Sequence, residues 1–360
     1  MRNMSNLTLS EWNHLREQAL APAEAVAYLY ADLPCRSFAE TLARLYPGTD
    51  LRERLTAILA EGGVAPDSAD RTVRNWLAGK SVPAERETLF RVAFGLHLSV
   101  EDANRLLCAA SDYGIHARDP EEVVYLFALL TGQSFAQAQA LKGQCAALRG
   151  TGTPSDLSTR LLGGQVATLH DNAEFLQWYA ANADDFSLLH NAAYEAFMEC
   201  LNSLLGDGED FSLEYIAGTC LRFRNSVPLE RSVSQMDGMQ RLLKHYWPSA
   251  TTIKQMKNRR IDVSRKALLL LFILCEGEPD NSEYTDLDEP YITPAERLEA
   301  HAFTADEMLT RCGMGTLDPR GPFDWLVMYC MYHDADEGMS ERMEQVISCF
   351  FGSETDLTMV

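Results

Sequence analysis

The chain has 360 residues, of which 46% are hydrophobic and 23% charged, enough for two or three domains with cores of their own. Its net charge of -21 excludes a protein that coats nucleic acid over its whole surface, because phosphate neutralisation needs clustered Lys and Arg. The longest apolar run, Ala267 to Cys275, is too short to span a bilayer, no apolar signal region follows Met1 to Ser5, and no C-x-x-C pair occurs. The expectation is therefore a cytoplasmic protein with no membrane partner, no structural zinc, and reduced cysteines buried as small hydrophobes.

The pattern reads as helix almost throughout, and an all-α fold is expected. A helical arm over 1–36 opens the chain, and a first unit over 37–150 follows. Within it, Gly62 to Ser68 reads as a long connection. Val73, Trp76 and Leu77 then recur on one helical face, and Gly79 suits a left-handed stop. Pro83 fits the first turn of a helix to Leu96, and Ser99 caps another that runs through Ala110 with Glu101 and Asp102 in its first turn. Arg149 to Ser155 marks a boundary, and Asn225 to Pro228 a second. Between them lies an acidic helical middle, 151–230, with helices over Asp171 to Phe186 and Leu188 to Leu205. The second unit, 231–360, approaches its Thr251 helix through the tighter Tyr246-Trp247-Pro248-Ser249 and carries an acidic insertion over 276–300. Glu276 to Pro290, with Pro279, Asn281 and few apolar residues, is expected to be an exposed loop.

The two units echo each other. Arg71-Thr72-Val73-Arg74-Asn75-Trp76 and Val82 to Phe90 match Thr251-Thr252-Ile253-Lys254-Gln255-Met256 and Ile261 to Leu269. Leu106-Leu107, Arg118, Pro120 and Val124 to Phe127 match Met308-Leu309, Arg320, Pro322 and Leu326 to Tyr329. An internal repeat interrupted by the insertion accounts for both sets. On that basis Thr72 and Thr252 are expected to begin equivalent helices.

The run Arg71 to Pro83 resembles the recognition helix and following turn of Cro/lambda-repressor-like (XRE-type) helix-turn-helix proteins. Leu89 to Leu107 is similar to the helices that follow in that family. The likeness covers about Leu51 to Leu130 well and Met236 to Tyr332 more weakly. It departs from the family pattern at the long Gly62 to Ser68 connection. The resemblance implies sequence-specific binding of double-stranded DNA, transcriptional regulation and a homodimer reading two half-sites.

Charge is distributed accordingly. No Lys or Arg occurs from Leu161 to Leu221, whereas Arg241 to Lys266 is strongly basic with Asp262 as its only acid. Arg71, Arg74, Asn75 and Lys80 form one candidate DNA-binding set, and Thr251, Lys254, Gln255, Lys257, Asn258, Arg259 and Arg260 the other. Arg and Lys suit guanine edges, Asn and Gln suit adenine edges, and Lys257, Arg259 and Arg260 suit phosphates. The competing account is a non-enzymatic protein-interaction adaptor, for example in stress or phage defence, whose acidic surfaces meet a protein partner. There the same basic faces are solvated or pair with the acidic middle.

No catalytic constellation is expected, and no cofactor. The His residues lack metal-ligand spacing, Gly150-Thr151-Gly152-Thr153 lacks the strand and helix of a phosphate loop, and no Gly-x-Ser-x-Gly elbow occurs. His333, Asp334, Asp336 and Glu337 read as a polar loop. Trp76, Phe323, Trp325 and Tyr329 read as core. Arg118 and Arg320, each just before a helix, read as structural groups bonding a carbonyl or carboxylate between packed helices.

Overall fold

Helix caps and apolar spacing carry the sequence into a fold made of helices. The computed structural model describes residues 6–148, 159–205, 215–216, 220–222, 238–245, 247–275, 293–334 and 336–351. Among them are 18 α-helices and no strand. In chain order they are α1 (Asn6–Glu17), α2 (Pro22–Ala31), α3 (Phe38–Leu45), α4 (Leu51–Glu61), α5 (Pro66–Leu77) and α6 (Arg86–Gly95). Then come α7 (Val100–Ala110), α8 (Glu122–Leu130), α9 (Phe135–Cys145), α10 (Thr159–Val166), α11 (Asn172–Ala181) and α12 (Asn191–Leu205). The last six are α13 (Gly238–Lys244), α14 (Ala250–Lys257), α15 (Arg265–Cys275), α16 (Pro294–Arg311), α17 (Pro322–Met331) and α18 (Met339–Phe351). Side-chain oxygens satisfy the free amides at several starts. Ser37 accepts from Glu40 N, Ser99 from Asp102 N, Ser134 from Gln137 N and Asp171 from Glu174 N.

The helices divide into two compact units that do not follow chain order. One unit holds residues 1–35, 194–309 and 316–360; the other holds 36–193 and 310–315. These bounds run across the four-part division expected from sequence. The 1–36 arm belongs with the far end of the chain, and the acidic middle is shared between the units. The physical reason lies in burial: Leu29 of α2 is fully buried, and α2 packs against α18.

In the 36–193 unit, one core gathers Leu42, Leu55, Val73, Trp76, Phe90 and Leu106 from α3 to α7. A second gathers Phe127, Leu141, Phe175 and Tyr179 from α8, α9 and α11. Tyr113, His190 and His116 stack in the same unit with centroid separations of 3.6 and 3.7 Å. Burial, reinforced by His190, Arg118 and Arg86, pushes the His116 imidazole down to about 2. In the other unit, Leu268 to Leu271, Trp325, Leu326, Val346 and Ile347 are fully buried.

Each unit contains an arginine–carboxylate knot closed over a buried acid. Arg86, first residue of α6, meets Glu122 of α8 through Nε and, at 2.8 Å, through Nη2, and it also donates to the carbonyls of Tyr113 and Gly114. Arg265, first residue of α15, meets Asp324 of α17 at 2.6 and 2.8 Å and donates to the Thr316 carbonyl. The carboxylates also accept backbone amides, His116 N on Glu122 at 2.8 Å and Asp318 N on Asp324 at 2.9 Å. In parallel, Asn104 accepts Ile115 N at 2.7 Å and Asp306 accepts Leu317 N at 2.6 Å.

Several expectations are met locally. Gly79 has φ +67, the α7 cap is Ser99, and Phe323, Trp325 and Tyr329 are buried. Others need correction. The helix expected from Pro83 starts at Arg86, whose guanidinium is drawn into the knot, while Glu85 stays extended. Thr72 lies inside α5, which begins at Pro66, and Thr252 follows Ala250, so neither begins its helix. Three of the cysteines, Cys145, Cys312 and Cys330, are buried, whereas Cys35 is exposed in the link between α2 and α3. The expected loop over Glu276 to Pro290 lies outside the described residues, but the insertion's end, 294–300, is the start of α16. No described helix is long and apolar enough to cross a membrane.

Candidate nucleic-acid interface

The first candidate element is α4, a turn over 62–65, and α5. Leu55, Ile58 and Leu59 anchor α4 in the core. The turn closes with Gly62 N and Val64 N bonded to the Ile58 and Leu59 carbonyls, and Gly63 takes φ +88, which glycine adopts without Cβ strain. Pro66 then serves as a helix start, where its missing N–H costs nothing. The connection expected to be long is therefore tight: Pro66, Asp67 and Ser68 are helix rather than loop. Ala69, Val73 and Trp76 bury one face of α5, leaving Arg71, Arg74 and Asn75 exposed, with Lys80 exposed beyond the helix.

Two acids share that outer side, and neither stands out in the sequence. Asp67 is exposed, and Asp70 takes Arg52 at 2.7 Å on one oxygen and Arg74 at 3.0 Å on the other. The Arg52 hydrogen bond, with Arg74 beside it, holds the Asp70 carboxyl below the usual range. Arg74 is thus already engaged. The Asp70–Arg74 contact is legible as an i,i+4 pair; the Arg52 contact from α4 is not.

The second candidate element is α13 and α14, joined through 245–249, of which 246 lies outside the described residues. Ser249 Oγ accepts Thr252 N at 3.2 Å, and Ile253 and Met256 bury the inner face. Thr251, Lys254, Asn258, Arg259 and Arg260 are exposed, and Gln255 and Lys257 half-buried. Lys254, Lys257 and Arg260 enter no ion pair among the described residues. Arg259 has φ +52 and stands where Gly79 stands in the first element. Both helices end in the same hydrogen-bond pattern: Arg259 N to Met256 O and Arg260 N to Gln255 O repeat Gly79 N to Trp76 O and Lys80 N to Asn75 O. The Arg259 guanidinium lies 4.6 Å from the Tyr194 ring centre, and the Tyr194 hydroxyl donates to the Lys257 carbonyl at 3.2 Å.

Lys266 is a further participant. Its ammonium donates to the carbonyls of Leu243 at 2.7 Å and His245 at 2.5 Å, capping the end of α13. Trp247 Nε1 donates to the Leu221 carbonyl at 2.8 Å and holds the residues just ahead of α14.

The two candidate sets fall in different units. Arg118 and Arg320 behave as structural groups: Arg118 Nε donates to the Asp185 carbonyl at 3.0 Å and Arg320 Nε to the Pro34 carbonyl at 2.8 Å. His333 lies with its Nε2 3.4 Å from that of His301. No group of three or more His, Cys, Asp or Glu side chains converges as metal ligands among the described residues. Compared with known proteins, the chain matches no family model, no curated protein and no solved structure.

Proposed function

We propose that the protein binds double-stranded DNA through its helix-turn-helix-like elements, with α14 as the principal reader, and regulates transcription by doing so. The observation that carries this reading is the outer face of α14 and its end. Among the described residues, Lys254, Lys257 and Arg260 meet no carboxylate, on and just beyond a helix whose start is capped by Ser249 and which follows a helix whose end is capped by Lys266. Cations free of internal partners are what phosphate binding and groove reading require. Lys254 and Gln255 stand where base edges would be read, and Lys257, Arg259 and Arg260 where phosphates would be held.

Binding to random-sequence DNA at two salt concentrations tests the reading. Affinity falls with salt, and K257A with R260A reduces the logarithmic slope by about 0.9 for each lost contact. Lys254→Ala and Gln255→Ala instead relax sequence preference at similar salt dependence. Absence of DNA affinity at low salt overturns the proposal.

A second reading applies to α5. Asp67 and Asp70 would face phosphates there, and Asp70 occupies Arg74. That favours a protein-contacting role for the first element, with the acidic surface meeting a basic partner.

A further inference from the structure

Two helix pairs from different parts of the sequence play the same role. In the 36–193 unit, α10 packs on α8 and α11 on α9; in the other unit, α2 packs on α18. The details correspond. Just before α8, Arg118 Nε holds the Asp185 carbonyl beyond the end of α11. Just before α17, Arg320 Nε holds the Pro34 carbonyl beyond the end of α2. Glu174 accepts the His170 amide ahead of α11, and Glu24 accepts the Ala21 amide ahead of α2, both at 2.9 Å. Within the pairs, Trp178 Nε1 donates to Gln165 at 3.0 Å, and the Tyr28 hydroxyl donates to Glu11 at 2.6 Å. At the seats, Phe175 stacks on Phe127 of α8 and Tyr28 stacks on Trp325 of α17.

The chain beyond each pair corresponds as well. From α2 it enters the 36–193 unit as α3 to α9; from α11 it enters the other unit as α12 to α18. Within those stretches, the arginine–carboxylate knots, the Asn104 and Asp306 loop caps and the α5 and α14 endings take the same places in order.

We infer that the chain is one helical unit written twice, matched through nine helices of each copy among the described residues, in which the opening helix pair of each copy completes the unit built by the closing helices of the other. The protein is then a single-chain form of a reciprocally arm-exchanged dimer, joined through 149–158. The α8–α9 seat takes the second copy's pair, and the α17–α18 seat takes the first copy's. Such an exchange keeps every contact of the closed unit while making each copy dependent on the other. The exchange is independent of DNA binding, since no seat contact uses the exposed cations of α14.

The test is to place a specific protease site between Gly150 and Ser155 of the full-length protein, cut it, and follow the fragments by size-exclusion chromatography with light scattering. The two fragments stay together as one 1:1 particle of unchanged mass. Arg118→Ala and Arg320→Ala each raise the fragment dissociation constant about tenfold or more, since each removes a hydrogen bond from a charged donor at one seat. The double variant combines the two effects. The uncut variants, checked for helicity and melting, provide the folding control. If either fails to fold, Arg118→Lys or Arg320→Lys carries the same measurement. Fragments that separate under native conditions overturn the inference, as does a cut protein whose dissociation constant neither substitution changes.

Discussion

The α4–α5 and α13–α14 elements are built alike and charged differently. Each buries two or three apolar residues on the inner face of its second helix and ends that helix in a left-handed residue with the same amide pairings. On the outer face, α5 sets Asp67 and Asp70 among its cations, whereas α14 presents no acid. A shared frame of two packed helices specifies where side chains project and not what they bind. The frame belongs to the buried residues, and the partner is chosen by the exposed ones.

The largest test of the common frame removes its knots. Arg265→Ala strands Asp324, and Arg86→Ala strands Glu122, each a buried carboxylate without its partner; a loss of about 3–5 kcal/mol is expected for such a break. The Arg265 pair is the drier, with side chains 15% and 11% exposed against 33% and 9%, so its loss in chemical denaturation is the greater. Equal midpoints for the two variants would remove that distinction.

Acid sharpens the comparison further. His116 has a folded value of about 2, depressed from 6.5, so its neutral form contributes stability that is full above pH 6.5 and lost as pH falls towards 2. At pH 5 the unfolded imidazole is protonated and the folded one is not, which costs about 2 kcal/mol. Denaturation of the wild type at pH 7 and pH 5 measures this loss, and His116→Gln abolishes that share of it.

The helix endings give a smaller effect. Gly79 has φ +67, and an added Cβ lies 3.9 Å from Ser37 Cβ, so Gly79→Ala meets conformational strain alone and costs about 1 kcal/mol. Arg259→Gly relieves the same strain but forfeits the Tyr194 contact, so its melting temperature stays close to wild type. A large drop would mean the cation–aromatic contact outweighs the strain.

Legibility in the sequence depends on the range of the interaction. Ser99 and Gly79 act on amides and dihedrals within a few residues, and their roles are plain from the sequence. Pro66 reads as loop because proline and glycine lie close together there, although a proline at the first helical position is compatible with helix. The placement of α1 and α2 with the far end of the chain is not readable, since their apolar faces fit any complementary seat. Among the candidate site residues, the exposure of Lys254 follows from helical spacing. The pairing of Arg74 with Asp70 is local to α5, whereas the sharing of Asp70 with Arg52 depends on a neighbouring helix.

Lys266 shows the consequence for counting charge. Its ammonium is held by backbone carbonyls at the end of α13 and lies 4.6 Å from the Phe323 ring centre. An amine held this way is a poor nucleophile towards an acylating reagent, while Lys254 is exposed. Brief acetylation of the native protein should modify Lys254 well before Lys266. The order of modification, read by mass spectrometry, separates lysines that build the element from those that face outward.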